Sequence, residues 1–361
     1  MMDSIGARVA AAMNERGLTQ KQLAQDVGMT TDGMSRALNG KRGFAAVELA
    51  AISRTLDADL DYLITGEPTT DSRLPVAARH RFDHETRTRS VERIADDEQI
   101  LDGIRLAYVQ AGEIASSPAL PTTVAEVREQ LGKDFPRTFV AGLEALGVDV
   151  ISLPELSTAY AMTLNGRQVI ATNASGNWFY ENWSLAHELG HLTLKHEDVR
   201  PDSPDAGQRE AAAHAFAAEL LMPASEMRGS AWETMNPTEV ADYLWRNGVS
   251  TKSLRVRLET LGITPSPEVA AALEFTTQKV LRRYWSGGGA YNGDAISDRM
   301  EEASQRRFPA WLRSAHLKRI EAGMLHKETL AWMLGVAADE LEIDEPAPPS
   351  LSDDELMDLL G

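Results

Sequence analysis

The segment that most constrains this chain is HELGH, at residues 187–191. Side chains at positions i and i+4 of an α-helix share one face, about 6 Å apart along the axis. Two imidazoles on one face can bind a single Zn²⁺ from the same side, and Glu188 lies close enough to take a proton from water activated by the metal. The surrounding apolar sequence SLAHELGHLTL disfavours the alternative of a plain helix with surface histidines. The segment therefore predicts a helical zinc site with hydrolytic chemistry.

A zinc site here needs a third ligand, which must be His, Asp or Glu because the chain has no cysteine. The same absence excludes disulfides and thiolate catalysis. His196 lies five residues after His191 with no glycine between them, so the three-histidine pattern of the metzincins does not match. Glu210 is the better candidate because it opens the next predicted helix, EAAAHAFAAELLMP. The apolar positions of that helix predicted to pack against the first helix are Ala213, Phe216, Ala217, Leu220 and Leu221.

The two motifs together resemble a known family. HELGH followed about 20 residues later by ExxAxxFAxxLLMP is similar to the ImmA/IrrE family of metallopeptidases, over residues 122–262. That stretch includes VSTKSLRVRLETLGI, which resembles the closing helix of the family. The resemblance implies zinc ligands at His187, His191 and Glu210, and a catalytic glutamate at Glu188.

Two further positions stay open. His214 stands where the family often has Asn or Asp, and it lies one turn after Glu210 on the same helix face. We interpret it as a residue that supports a ligand, donates to the transition state or binds the metal itself, with a histidine at the edge of the core as the structural alternative. Tyr180 is a further candidate for stabilising an oxyanion.

A second motif lies near the amino terminus. GLTQKQLAQDVGMTTDGMSRALNGKR has the lengths of a helix, a turn and a helix. Thr19 is the predicted N-cap of the first helix. Gly28 ends it in a left-handed conformation that glycine adopts at little cost, and Thr30 or Thr31 caps the second helix. The residues predicted to face the shared core are Leu23, Ala24, Val27, Met34 and Leu38.

This segment presents candidate DNA contacts. The exposed face of the second helix carries the candidates for reading bases, which are Thr31, Asp32, Ser35 and Arg36. The candidates for phosphate contacts are Gln20, Asn39, Lys41 and Arg42. The alternative is a helical bundle used for dimerisation or protein contact, which the nearly neutral charge of the segment and the acidic Asp32 both favour.

The same segment resembles the Cro/C1 repressor-type (XRE) helix-turn-helix family over about 60 residues. The LAQDVG turn, the spacing to Asn39-Gly40-Lys41 and the later DYLITG all fit. The resemblance implies base contacts from Thr31, Asp32 and Arg36, and phosphate contacts from Gln20 and Asn39. Because one such module reads only a half-site, we expect a homodimer on operator DNA.

Charge limits where nucleic acid could bind. The chain carries a net charge of −18. Residues 1–66 hold 7 Lys+Arg against 8 Asp+Glu, whereas the other 295 residues hold 29 against 46. DNA binding is therefore expected only at the amino-terminal module. The amino terminus does not have the pattern of a signal peptide, and no apolar run is long enough to span a membrane, so we expect a cytoplasmic protein with no membrane partner.

The pattern along the chain predicts a mostly α fold with a small β-sheet (α+β). Strands are predicted at VDVISL and QVIAT around a turn at Asn165-Gly166, and the two zinc-binding helices at 181–196 and 207–222. The predicted domains are a helix-turn-helix at 1–66, a linker and helix at 67–121, a zincin-like metallopeptidase domain at 122–262, and a helical, regulatory carboxyl-terminal region at 263–361.

These features predict a DNA-binding transcription regulator with a zinc metallopeptidase domain. The family resemblance implies cleavage of a repressor-type partner in the control of stress or mobile-element genes. The alternative is an XRE-type autorepressor or antitoxin, partnered by a toxin, whose zinc domain is structural or sensory. A nonspecific peptidase is a third hypothesis, which the helix-turn-helix disfavours because bulk proteolysis has no use for operator binding.

Overall fold

The computed structural model describes residues 4–66, 77–78, 81–82, 89–90, 94–112, 114–196, 205–287 and 294–343. Within the linker and helix predicted at 67–121, residues 67–76, 79–80, 83–88, 91–93 and 113 lie outside the described residues, as do residues 344–361 of the carboxyl-terminal region. None of the helices in the described ranges is both long enough and apolar enough to cross a bilayer.

The helices and strands follow one another in a helix-rich order. In chain order, the helices are α1 (Ile5–Glu15), α2 (Gln20–Asp26), α3 (Thr31–Leu38), α4 (Ala46–Leu56), α5 (Leu60–Thr65), α6 (Ile94–Gln110), α7 (Val124–Leu131), α8 (Phe139–Ala145), α9 (Trp178–Thr193), α10 (Ala206–Leu221), α11 (Ala224–Gly229), α12 (Pro237–Asn247), α13 (Thr251–Leu261), α14 (Pro267–Leu273), α15 (Thr277–Tyr284), α16 (Ala295–Glu302), α17 (Ala310–Glu321) and α18 (Glu328–Leu334). The strands are β1 (Ala77–Ala78), β2 (Arg81–Phe82), β3 (Arg89–Ser90), β4 (Val148–Leu153), β5 (Tyr160–Leu164) and β6 (Arg167–Asn173). The predicted α+β fold class is confirmed.

The chain forms two compact units. The amino-terminal unit comprises Met1–Ser72, Gln99–Glu113 and Ala310–Gly361, and the central unit comprises Arg73–Glu98 and Ile114–Pro309. The carboxyl-terminal region predicted at 263–361 is thus divided between the two, with α17 and α18 in the amino-terminal unit.

The amino-terminal unit is built around α2 and α3. Thr19 accepts a hydrogen bond from the backbone of Gln22, whose side chain bonds back to Thr19, so the predicted cap of α2 is a full capping box. Gly28 ends α2 with φ +71°, and Thr30 caps α3 through Gly33. The predicted core residues from this motif that are buried are Leu23, Ala24 and Met34. Leu106 of α6 and Trp332 of α18 pack into the same core.

The sheet of the central unit has the strand order β1-β5-β6-β4. β4 is VDVISL, buried along its whole length, and it pairs in parallel with β6, as a strand covered on both faces does. β6 contains the predicted QVIAT strand. Both predicted strands are present, but the Asn165-Gly166 turn, with φ of +48° and +75°, joins β5 to β6. The turn does not connect VDVISL directly to QVIAT as predicted, because the strand β5 lies between them, and YAMTL has too few β-branched residues to signal that strand.

Helix α9 packs on this sheet and α10 packs on α9. The central core combines apolar residues of the three, including Val150 and Ile170 of the sheet, Leu185 and Leu189 of α9, and Ala217 of α10. The apolar face of each helix is therefore used for packing, and this packing fixes the positions of their polar residues.

Candidate metal centre and nucleic-acid interface

Helix α9 carries the HELGH segment within the core. The helix begins at Asn177, whose side chain caps it by accepting a hydrogen bond from the backbone of Tyr180. One turn separates His187 from His191, and their side chains are 0% and 2% exposed. Burying two imidazoles costs free energy unless their nitrogen atoms have polar partners, so the groups around them indicate why they are buried.

Helix α10 brings Glu210 to these histidines. Gly190 allows the close approach, since a Cβ built there would lie 3.2 Å from atoms of Phe216 on α10. The Nε2 atom of His187 lies 3.4 Å from one carboxylate oxygen of Glu210, and Nε2 of His191 lies 3.3 Å from the other. The two Nε2 atoms are 3.2 Å apart. Helix α10 thus brings the carboxylate of Glu210 against the two imidazoles of α9.

The spacing of these atoms tests whether they suit a metal ion. Zinc binds imidazole nitrogen and carboxylate oxygen at about 2.0–2.2 Å in a tetrahedron, which places ligand atoms about 3.3 Å from one another. The two Nε2 atoms are 3.2 Å apart, and each lies 3.3 or 3.4 Å from a different carboxylate oxygen of Glu210, close to that spacing. The group of His187, His191 and Glu210 is buried and all its ligand atoms lie within 4.8 Å of one another. The donor set therefore fits a divalent metal ion with nitrogen and oxygen ligands.

The electrostatics of the cluster agree with this geometry. Burial lowers the pKa of His187 to about 4, so its imidazole is neutral at physiological pH and has a lone pair to donate. Burial alone would raise the pKa of Glu210, but hydrogen bonds from both histidines outweigh it, and the net effect holds that pKa well below its usual range. A neutral imidazole beside an ionised carboxylate is a combination of protonation states that suits a metal ion.

The predicted DNA contacts lie on the surface of the amino-terminal unit. Those that are exposed are Gln20, Thr31, Asp32, Arg36, Asn39 and Lys41. Ser35 is partly buried, and its carbonyl accepts a hydrogen bond from the side chain of Asn39 at 2.8 Å. No ligand tests their roles, so these contacts stay predictions.

Arg42 differs from the other predicted contacts. Its guanidinium bonds the carboxylate of Glu48 at the start of α4 and lies 3.4 Å from the carboxylate of Glu328 on α18. Its side chain is only 20% exposed. Next to it, a Cβ built on Gly43 would lie 2.4 Å from the side chain of His326, so α18 and the residues before it pack tightly against the loop after α3. The guanidinium of Arg42, which we predict to contact phosphate, is therefore paired with two carboxylates in this structure.

Comparison with protein families assigns both regions. Residues 143–259 match the IrrE N-terminal-like domain, a peptidase family, and residues 4–63 match a helix-turn-helix domain. The chain therefore carries a helix-turn-helix domain and an IrrE-like domain. Comparisons with curated proteins and with solved structures gave no match. The predicted combination of the two domains is confirmed, and the histidine–glutamate cluster lies within the IrrE-like domain.

The remaining residues predicted for the IrrE-like domain occupy three environments. Glu188 is fully buried, directly after His187. His214 is exposed, and its ring centroid lies 4.5 Å from that of His187 and 6.3 Å from that of Trp183, so an exposed imidazole lies beside the cluster. Tyr180 lies in the first turn of α9 and is partly exposed. The functional roles of these three residues stay predictions.

Two residues near Glu188 gave no sequence signal. The hydroxyl of Tyr160 on β5 donates a 2.6 Å hydrogen bond to the buried carboxylate of Asp97 on α6. The pKa of Tyr160 is raised by burial, by Asp97 and by the charge of Glu188, which places this tyrosine within electrostatic reach of the glutamate. Asp97 also accepts hydrogen bonds from the backbone and hydroxyl of Ser157. No spacing rule links residues 63 positions apart, so only the fold reveals this network.

Proposed function

We propose that this chain is a zinc-dependent metalloendopeptidase that regulates transcription. Its helix-turn-helix binds operator DNA, and its IrrE-like domain cleaves a repressor-type partner protein in the control of stress or mobile-element genes. The observation that carries the proposal is the convergence of His187, His191 and Glu210 beside the buried Glu188. A helix-turn-helix match and a peptidase-family match in one chain support the pairing of the two activities.

In this proposal the two imidazoles bind zinc through Nε2 and Glu210 binds through its carboxylate. When bound, zinc supplies Lewis acidity that makes water nucleophilic at neutral pH and polarises a peptide carbonyl. Glu188 follows a ligand on the same helix and is shielded from bulk solvent. Its carboxylate accepts a proton from the attacking water and returns it to the nitrogen of the leaving amine as the peptide C–N bond breaks.

A peptide would reach the cluster from the side of His214. This histidine is exposed and its ring lies 4.5 Å from that of His187, so it can donate a hydrogen bond to the carbonyl oxygen as negative charge develops. Tyr180 is the second candidate for this role, from the first turn of α9.

The helix-turn-helix gives the peptidase a location. Arg36 and the polar side chains beside it on α3 would read bases, and Gln20, Asn39 and Lys41 would contact phosphates. A homodimer would place two such modules on a two-fold operator. Because the partner repressor would bear a similar module, operator binding would concentrate enzyme and substrate on the same DNA.

The catalytic assignment is tested by incubating zinc-loaded protein with candidate XRE-type repressors and following their cleavage. Glu188→Gln keeps the size of the side chain and the metal ligands but removes the carboxylate base. Glu233→Gln, at an exposed position, is the matched control. We expect cleavage by the wild type and by the control, and at least about a hundredfold slower cleavage by Glu188→Gln.

Equal cleavage by the wild type and Glu188→Gln would contradict the catalytic role. A different result separates the proposal from its alternative. If the protein binds zinc and operator DNA, yet cleaves none of the repressors, the metal domain is structural or sensory, as in an autorepressor or antitoxin.

A further inference from the structure

The end of helix α9 has an unusual backbone. The helix ends at Thr193, although its sequence predicts continuation to residue 196. Lys195 adopts a left-handed conformation with φ +56°, which costs a residue with a side chain about 1 kcal/mol. The turn folds the chain back, so the backbone N–H of His196 donates a 2.9 Å hydrogen bond to the carbonyl of His191. The turn and this hydrogen bond are those of a common helix-ending motif, with a lysine where glycine is usual, and they return His196 to the last turn of α9.

The turn places the ring of His196 next to Nδ1 of His191, the ring nitrogen that does not face the cluster. Their Nδ1 atoms are 3.1 Å apart and their ring centroids 5.2 Å apart. On its other side, the Nε2 atom of His191 faces Glu210 at 3.3 Å and His187 at 3.2 Å. The two nitrogens of His191 therefore have separate partners, one within the cluster and one outside it.

We propose that His196 is a positioning residue for the metal centre. A neutral imidazole carries one N–H group and one lone pair. If Nε2 of His191 donates its lone pair to the metal, Nδ1 of His191 carries the proton. That N–H group then donates a hydrogen bond to Nδ1 of His196. His196 thus fixes both the tautomer and the ring orientation of His191, with its own proton on Nε2. This inference rests on the proposed metal centre.

The other histidine is held differently. His187 is completely buried, and its Nδ1 atom has no hydrogen-bond partner among the described residues. Packing therefore fixes the ring of His187, whereas His191, in the last turn of α9, receives a hydrogen bond partner from the turn that follows. The two imidazole ligands differ in how they are supported, and removal of His196 should affect only one of them.

The test measures the dissociation constant for Zn²⁺ by competition with a chelator of known affinity. We expect His196→Ala to bind zinc about 10- to 100-fold more weakly, the usual cost of removing a hydrogen-bond partner of a metal ligand. His196→Asn should recover most of the affinity, because Oδ1 of Asn can stand near the position of Nδ1 and accept the same proton. Lys195→Gly keeps the left-handed turn and should bind like the wild type.

A second measurement separates positioning from simple packing. In zinc-loaded protein labelled with ¹⁵N-histidine, the Nδ1 proton of His191 should be visible and slow to exchange in the wild type and in His196→Asn. It should exchange faster in His196→Ala. Thermal unfolding of the metal-free variants checks that each one is folded.

The inference is overturned if His196→Ala binds zinc as tightly as the wild type, or if His196→Asn binds as weakly as His196→Ala. Failure of the wild type itself to bind zinc is a different result. It would reject the proposed metal centre rather than the role of His196.

Discussion

The two functional regions of this chain differ in what fixes their polar side chains. At the metal centre, His187, His191 and Glu210 are buried and converge because α9 and α10 pack closely on a sheet. On the helix-turn-helix, most of the predicted contacts are exposed on α2, on α3 and just after α3, whereas Arg42 is held by the carboxylates of Glu48 and Glu328. Core packing determines the geometry of the first region, whereas most side chains of the second are exposed and not fixed by the core.

The largest expected effect tests convergence at the metal centre. Glu210→Ala removes one of three ligands and should weaken zinc binding by more than about a hundredfold, beyond the cost of losing an outer hydrogen bond. Gln208→Ala, an exposed neighbour on α10, should leave the affinity unchanged. Chelator competition measures both. If Glu210→Ala binds zinc normally, the carboxylate is not a ligand and the comparison between the two regions fails.

The next prediction tests the packing that supports the centre. Gly190→Ala adds a Cβ 3.2 Å from Phe216 and should lower the free energy of unfolding by about 1–3 kcal/mol, while also weakening zinc binding. Gly229→Ala is the matched control, because a Cβ there meets nothing within 4 Å. The control should be neutral or slightly stabilising. Equal stability of the two variants in urea unfolding would show that close approach of α9 and α10 is not required.

A smaller effect is expected on the DNA side. Glu328→Gln weakens one of the two ion pairs that hold Arg42, so Arg42 should become available to phosphate. Affinity for a random-sequence duplex should rise a few-fold, and the slope of log affinity against log salt should steepen by up to about 1. Glu321→Gln changes the net charge equally at an exposed position and serves as the control. If both variants behave alike, net charge explains the effect and α18 has no part in DNA binding.

The smallest expected effect concerns His316, a buried histidine that is not among the candidate metal ligands. His316, in the amino-terminal unit, is fully buried and hydrogen-bonds the carbonyl of Ala107 at 2.8 Å. Burial lowers its pKa in the folded chain, so the unfolded chain takes up a proton first as pH falls below about 6.5. Its contribution to stability is therefore present above that pH and declines below it.

The measurement is urea unfolding at pH 7.5 and pH 5.5. His316→Gln can keep a donor for Ala107 but does not titrate, so it should lose less stability on acidification than the wild type. The exposed His326→Gln should lose as much as the wild type. A difference in the opposite direction would mean that His316 gains a proton on folding.

The sequence predicted the grouping of His187, His191 and Glu210 because the information for it is local. Fixed helical spacing places His187 and His191 on one face, and the apolar pattern of α10 orients Glu210 toward them. The strand β5, the Asp97–Tyr160 hydrogen bond and the return of His196 to His191 were not predictable in this way. Each depends on a tertiary contact or on a left-handed residue, Lys195, whose sequence gives no signal for that conformation.

In the helix-turn-helix, too, local features were predictable from the sequence and a contact between distant segments was not. Its caps and turn follow from Thr19, Gly28 and Thr30, and all three are observed. The packing of α18 against the loop at Arg42 could not be predicted from the sequence, because the two segments are separated by more than 280 residues. Local rules predict the motif, and the fold decides which of its side chains are available.

The most direct test of the central claim is X-ray absorption at the zinc edge of the purified, zinc-loaded protein. Two imidazole nitrogens and a carboxylate oxygen at about 2.0–2.2 Å are predicted, with one imidazole lost in His187→Ala. A shell of oxygen atoms without imidazole, or no bound zinc at saturating concentration, would contradict a metal centre shared by α9 and α10.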